Sequence, residues 1–393
     1  MAKVEMSFQL AYFCCMNFSD IVGQEAVKKH LIKTAQEGRV PHAQLFVGPE
    51  GSGALPMAIA YAQYVVCQNT ADDNEGGNAS CNLKFNKLQH PDLHFVFPVN
   101  AADKKVSDNF WDDWAKFVHE NPYGGLSSWY SQIGLTQKQG LISVHETTNI
   151  ARKLALKSVE GGYKVMIIWM AERMNTEAAN KILKLLEEPP QKTLFLLIVE
   201  DEKQLLQTIT SRCQFIRFAP LSEIDIQNAL EKKGCQPAEA MMIAKQSNGS
   251  LHKALTIFAA DESEMPFEKW FVQWVRQAFL VKKRTKVVVD LLNWSEELAG
   301  IGRENQKRFL QYCIEMFRQA FMLNYGVNEL VYIQTKEEGF DLSKFAPFVN
   351  PANINEIFHE LSEAYYHIER NGNAKIIFGD LSLQLTKLIH KKN

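Results

Sequence analysis

The sequence has no excess charge of either sign: 43 Lys and Arg stand against 45 Asp and Glu, a net of −2. A chain so balanced is not a whole-surface nucleic-acid binder, so any contact with DNA has to be local or shared with partners. Long apolar runs are missing too. The most apolar early stretch, around Phe8 to Cys15, falls far short of the roughly 18–20 residues a membrane-spanning helix needs. Seven cysteines (Cys14, Cys15, Cys67, Cys81, Cys213, Cys235, Cys313) are scattered without framework spacing, and no cleavable signal is evident. That usage fits isolated buried thiols in a reducing cytoplasm. What is present is bulk: 393 residues, 46% of them hydrophobic, enough for two or three domains.

A domain opens at Met16, a candidate natural start, and residues 1–15 read as an extension detached from it. Val27, Leu31, Ile32 and Ala35 recur at helical spacing over 25–35. His42–Val47 reads as a buried strand running into Gly48-Pro49-Glu50-Gly51-Ser52-Gly53, and an apolar helix follows through Tyr64. Strand, glycine turn, helix is the layout of a phosphate-binding unit. Further strands are expected at 93–97, 141–144, 164–169 and 194–199, alternating with helices at 146–158 and 176–188. The alternation predicts a mostly parallel α/β sheet. Asn175 or Thr176 caps the second helix and Pro189-Pro190 stops it. The stretch 100–140, rich in Trp, Asp, Lys and Gly, interrupts this pattern and is expected as a surface insertion. Beyond Pro220 strand signals fade into helical segments. Three aromatic-rich stripes follow, on Phe267–Phe279, Phe309–Phe321 and Ile354–Leu361.

A working phosphate loop reads G-x-x-x-x-G-K-[ST]: backbone N–H groups cradle phosphates, the Lys offsets their charge and the hydroxyl holds Mg²⁺. Here Gly48 and Gly53 have the spacing, but Ala54 and Leu55 follow, offering neither cation nor oxygen. Where an acidic pair should close the strand at 164–168, Trp169 and Met170 stand instead, and Glu172 lies farther on as a weak substitute. Losing all four groups removes the electrostatics on which phosphoryl transfer depends, so independent ATP hydrolysis is not expected. Gly48, Gly51 and Gly53 remain as a degenerate cradle, weakly occupied or empty.

At this point the residues resemble a known family, the clamp-loader subunits of DNA polymerase III, and most closely its delta-prime branch. The matching pieces are Phe18-Ser19-Asp20-Ile21-Val22-Gly23-Gln24, Pro41-His42-Ala43, the 48–53 turn, His90-Pro91-Asp92-Leu93, the run from Met174-Asn175 to Leu186-Glu187-Glu188-Pro189-Pro190, and Ser211-Arg212-Cys213-Gln214. Together they cover roughly 16–221. The resemblance implies an AAA+ (phosphate-loop-NTPase-like parallel sheet) module over 16–221, a small helical lid over 222–262 and an all-α collar over 263–393. It makes Arg212 an arginine finger that reaches the γ-phosphate of ATP held by a neighbouring motor subunit of gamma/tau type. The other implied partners are a clamp-opening delta subunit and, through the assembly, the sliding clamp and primed DNA. Departures are informative. Family members often bind zinc through four cysteines before the His-Pro-Asp segment; only Cys67 and Cys81 remain, with Glu75 and Asn78 near the other places, and His90 and His94 as remote candidates. No zinc and no cofactor of its own are therefore expected. In Gly249-Ser250-Leu251-His252, His252 replaces an Arg that contacts nucleotide in the family. Three rivals stay open: an active ATPase subunit of the same class, an independent DNA-binding repair factor, and a metal-dependent scaffold.

Overall fold

The computed structural model describes residues 16–391, except 70–76, 101–105, 136–138, 161, 260–265, 282, 283, 285, 328–330, 332, 334, 336 and 338. The 1–15 extension, with Cys14 and Cys15, and Glu75 lie outside the described residues. The chain forms two compact units, one within Met1–Leu135 and Gly140–Ala260, the other within Thr136–Gln139 and Asp261–Asn393.

Five strands, β1 (Ala43–Val47), β2 (Leu93–Val96), β3 (Lys164–Trp169), β4 (Thr193–Val199) and β5 (Gln214–Arg217), make the first unit's sheet. Every pairing is parallel, in the order β2-β3-β4-β1-β5. β3 and β4 are buried along their whole length because helices cover both faces, and their sequences are accordingly unbroken apolar runs. Side chains alternate between two apolar clusters: Phe46, Ile167 and Leu196 enter one, Leu45, Met166 and Leu197 the other.

The helices of this unit are α1 (Glu25–Gln36), α2 (Ala54–Val66), α3 (Ala79–Asn86), α4 (Trp111–Glu120), α5 (Leu126–Gln132), α6 (Val144–Ala155), α7 (Thr176–Glu187), α8 (Gln207–Thr210), α9 (Glu223–Lys232), α10 (Pro237–Gln246) and α11 (Leu251–Phe258). The Asn175 side chain accepts from Ala178 N at 2.8 Å and so caps α7 as its sequence predicts. α9–α11 enclose their own small core of Ile226, Leu230, Ile243 and Leu251.

Three sequence expectations change. The strand expected at 141–144 is two isolated bridges, Val99 with Leu141 and Ile142 with Met174, before α6 begins at Val144. β5 went unread because it is an edge strand with only Ile216 buried, so its hydrophobic signal is weak. The third change is the largest. The described residues of the 100–140 stretch are no surface insertion: Trp114, Phe117 and Trp129 are buried in the main core. Trp114 stacks on Phe97 with centroids 4.1 Å apart and meets Trp129 edge-on at 5.3 Å. Its interspersed Asp and Lys suggested solvent, but helical spacing sends them outward and the aromatics inward.

The second unit is helical among its described residues: α12 (Phe267–Leu280), α13 (Val287–Ala299), α14 (Arg303–Asn324), α15 (Leu342–Phe345), α16 (Ile354–Glu369) and α17 (Ala374–Leu388). The aromatic stripes supply its core, with Phe271, Trp274, Phe309 and Phe317 buried. Trp274 stacks on Trp294 at 5.2 Å and donates its indole N–H to Ser382 Oγ at 3.0 Å. Among the described residues no helix is long and apolar enough to cross a membrane.

Candidate functional site: a closed phosphate loop and an exposed arginine

Parallel pairing brings the carboxyl ends of β1, β3 and β4 together, where ligands of open α/β sheets bind. Val47 sits opposite Val199 and Trp169 opposite Ile198. The 48–53 turn, the Trp169-Met170 pair and the end of β4 therefore converge on one cavity. That cavity is about 30 Å³, room for a water or two. Leu55, Trp169, Met170 and Tyr123 are among the residues that line it. Trp169, at the end of β3, lies 5.2 Å from Trp114 and 5.7 Å from Phe117, so one wall of the cavity continues into an aromatic cluster.

The glycines survive for packing. Gly51 has φ +80°, and a Cβ there would stand 2.1 Å from Ser250 Oγ at the foot of α11. Gly53 has φ +94°, with the Tyr123 ring 3.1 Å from where its Cβ would be. Both take a left-handed backbone that other residues rarely adopt, and protein crowds the side a Cβ would occupy. Gly48 lines the same cavity and accepts its sheet geometry through Gly48 N donating to Val199 O at 3.1 Å.

Glu172 is not among the residues that line this cavity. Met170 takes a left-handed conformation (φ 54°, ψ 53°) that turns the chain away after β3, and Glu172 Oε1 accepts from Glu200 N at 3.0 Å. Burial pushes its carboxyl above the ordinary range, which suits a structural acceptor better than a metal ligand.

Arg212 occupies the opposite edge. It follows α8 and precedes β5, whose Gln214 pairs with Gln44 at the start of β1, whereas the phosphate loop follows Val47 at the far end. Four residues of strand separate the two levels, about 13 Å. The guanidinium is exposed at the surface, with 36% of its side chain accessible. It donates to Thr208 O at 2.8 Å and pairs with Glu187 at 2.6 Å. Ser211 and Cys213 shape the turn, and burial pushes the Cys213 thiol up to about 11, far from a nucleophile.

The zinc place is remade. Cys67, at the end of α2, and Cys81, in α3, form a disulfide, which corrects the expectation of isolated thiols for these two; Cys213, Cys235 and Cys313 are free and buried. Sulfurs bonded to each other are not thiolate ligands. His90 lies near Cys81 and Glu160, their ligand atoms within 4.8 Å, and His94 is not part of that cluster. Yet His90 Nδ1 accepts from Asp92 N at 3.2 Å and Nε2 faces Glu160 at 3.3 Å, while Lys84 holds the same carboxylate. An imidazole accepting at Nδ1 carries its proton on Nε2, which leaves no lone pair for a metal there. The residues present do not fit a tetrahedral zinc site.

Sequence reasoning missed two residues that organise the loop. Gln24 donates its side-chain amide to Ser52 O at 3.0 Å and to Ala219 O at 2.7 Å. Tyr123 accepts at its hydroxyl from Val22 N at 2.9 Å and is almost wholly buried, which holds its phenol above the usual range. No spacing announced either, since their partners lie 28 to 195 residues away.

Fold and loop together define an AAA+-type α/β module whose phosphate loop carries no Lys and no metal-binding hydroxyl. Residues 23–222, half of the chain, match the family model described as DNA polymerase III, delta subunit, and the chain belongs to that family. Curated relatives agree. The DNA polymerase III subunit delta' of Bacillus subtilis is 30% identical over 244 residues, 61% of this chain and 60% of that protein. The delta' subunit of Escherichia coli is 26% identical over 84% of each chain. The subunit tau of Bacillus subtilis is 27% identical over 98% of this chain and 64% of its own length. The chain thus spans less than two thirds of the length of the two Bacillus relatives. Among solved structures, Thermotoga maritima RuvB aligns over 81% of this chain and 88% of its own at 17% identity, with a TM-score of 0.39, an agreement too loose to decide anything.

Proposed function

We propose that this chain is the non-hydrolysing, delta-prime-type subunit of a clamp loader, lending Arg212 to the ATP site of an adjacent gamma/tau-type motor subunit. In this role it works beside a clamp-opening delta subunit, and the assembly loads the sliding clamp onto primed DNA. It needs neither zinc nor a nucleotide of its own.

The observation that carries this reading is the placement of Arg212, exposed at one edge of the sheet while the chain's own phosphate loop lies at the other. An arginine so placed cannot serve that loop, but it is available to a neighbour. A guanidinium is permanently charged and its fork matches phosphate oxygens. Its partner Glu187 is itself 48% accessible, and such an exposed pair is worth under about 1 kcal/mol, so a triphosphate displaces it easily. Ala54, Leu55, Trp169 and Met170 argue against the active-ATPase reading, and the net charge of −2 against an independent DNA-binding factor.

Reconstitution with the motor subunits tests it. Arg212→Ala is expected to depress ATP turnover at one shared site while assembly, followed by gel filtration, is unchanged. Undiminished turnover would sink the assignment.

A further inference from the structure

Arg212 has an acidic partner within its own chain, and the backbone beneath both residues is anchored. Leu186, just before Glu187, and Ile209 and Cys213, around Arg212, are buried in one apolar cluster. The ends of α7 and α8 are therefore fixed by the core, while the two charged tips reach solvent. The guanidinium bridges these ends. Nη1 donates to Thr208 O of α8 at 2.8 Å, and Nη2 pairs with Glu187 Oε1, on the last residue of α7, at 2.6 Å. The helix itself gains nothing from Glu187. An acid in the last turn opposes the helix dipole, and the adjoining exposed Glu188 adds a second negative charge at the same end.

We infer that Glu187 is a positioning residue for Arg212: it is the counter-ion on the chain's own surface that the γ-phosphate of a neighbour's ATP has to displace. The inference rests on the reading of Arg212 as a trans finger. Glu187 holds the guanidinium at the end of α7 while no triphosphate is presented, and so keeps it from other anions. A carboxylate carries one negative charge and a terminal phosphate about 1.5 to 2, so the exchange runs toward ATP. A neighbour holding ADP offers no γ-phosphate and leaves the pair intact. The kinetic signature follows from when the pair opens. It is open both in the ATP-bound ground state and in the transition state, so its loss bears on the two alike. An interaction of that kind changes KM and leaves kcat alone. With both members more than a third exposed, its size is about two- to fivefold.

Steady-state ATP turnover of the full chain reconstituted with its motor subunits tests the inference. The part of the turnover that Arg212→Ala removes defines the shared site. Glu187→Gln, which deletes the charge and keeps the size, is expected to lower the KM for ATP at that site about two- to fivefold with kcat unchanged. Glu187→Asp, which keeps the charge, is expected to stay closer to native than Glu187→Gln. On the Arg212→Ala background, with ATP affinity read by equilibrium binding, Glu187→Gln is expected to change nothing. An unchanged KM in Glu187→Gln overturns the inference, and so does a fall in kcat, which would mean that the pair holds Arg212 in its working geometry. An equal gain in ATP affinity without Arg212 overturns it too, since the acid would then act by its charge alone. Turnover undiminished by Arg212→Ala is a different failure: it removes the finger reading itself, and this inference with it, before any Glu187 variant is measured.

Discussion

At the carboxyl end of the strands, Trp169, Met170, Tyr123 and Leu55 line a small cavity of about 30 Å³, whereas toward the amino end Arg212 is partly exposed, bonded to Thr208 O and paired with Glu187. Both carry short motifs that are recognisable in the sequence. They differ in what surrounds them. Where Lys, hydroxyl and carboxylates are absent, apolar residues line the space, and close packing there gains the dispersion contacts an empty apolar chamber would forfeit. Where a charge is still exposed, no packing has replaced it. The contrast teaches that a loop without charged ligands and an exposed charge differ in their packing as well as in their residue types.

The sharpest way to break this comparison is at the open edge. Arg212→Ala should cost about 10³–10⁵ in turnover at the shared site if the arginine acts as a trans finger, with no change in the melting temperature of the isolated chain. Next comes the closed edge, where Trp114→Ala should destabilise the first unit by about 3–5 kcal/mol in chemical denaturation, because it removes a fully buried indole from an aromatic cluster. A loss under about 1 kcal/mol would return the 100–140 stretch to the surface. Cys67→Ser should cost about 3 kcal/mol, since the crosslink closes a short loop of sequence separation 14. A reducing agent should reproduce that loss in the native chain and add nothing in the variant. Glu187→Gln should change stability by less than about 1 kcal/mol, as both members of its pair are over a third exposed. The smallest effect is expected from restoring the missing loop residues: Ala54→Lys with Leu55→Thr should yield no ATP turnover in the isolated chain, because Trp169 and Met170 still occupy the acidic positions. Measurable hydrolysis by that double variant would mean the filling is incidental.

Much of the architecture was legible because it is written in short periods. The apolar runs at 164–169 and 194–199 became β3 and β4, and the Asn175 cap with Pro189-Pro190 bounded α7. The absence of Lys and hydroxyl after Gly53 was equally plain. β5 was not, because an edge strand with a single buried residue carries no strong alternation, and the strand expected at 141–144 shrank to bridges at Leu141 and Ile142 because α6 begins at Val144. The 100–140 stretch misled for a different reason: a helix with Trp114 and Phe117 inward and Asp112, Asp113 and Lys116 outward has the composition of a surface segment.

Sequence by itself determined the strand and helix periods, the loss of phosphate-handling groups from 54, 55, 169 and 170, and the presence of an arginine in a Ser-Arg-Cys turn. Only tertiary structure decided that Tyr123 and His252 each pack against the 48–53 loop, that Cys67 and Cys81 are bonded, and that Arg212 and Gly48 lie toward opposite ends of the strands of one sheet. The reason is physical. Periodicity is local and survives in a single line of text, while the filling of a cavity depends on parallel register and on side chains as distant in sequence as Glu50 and His252, whose meeting no local pattern records.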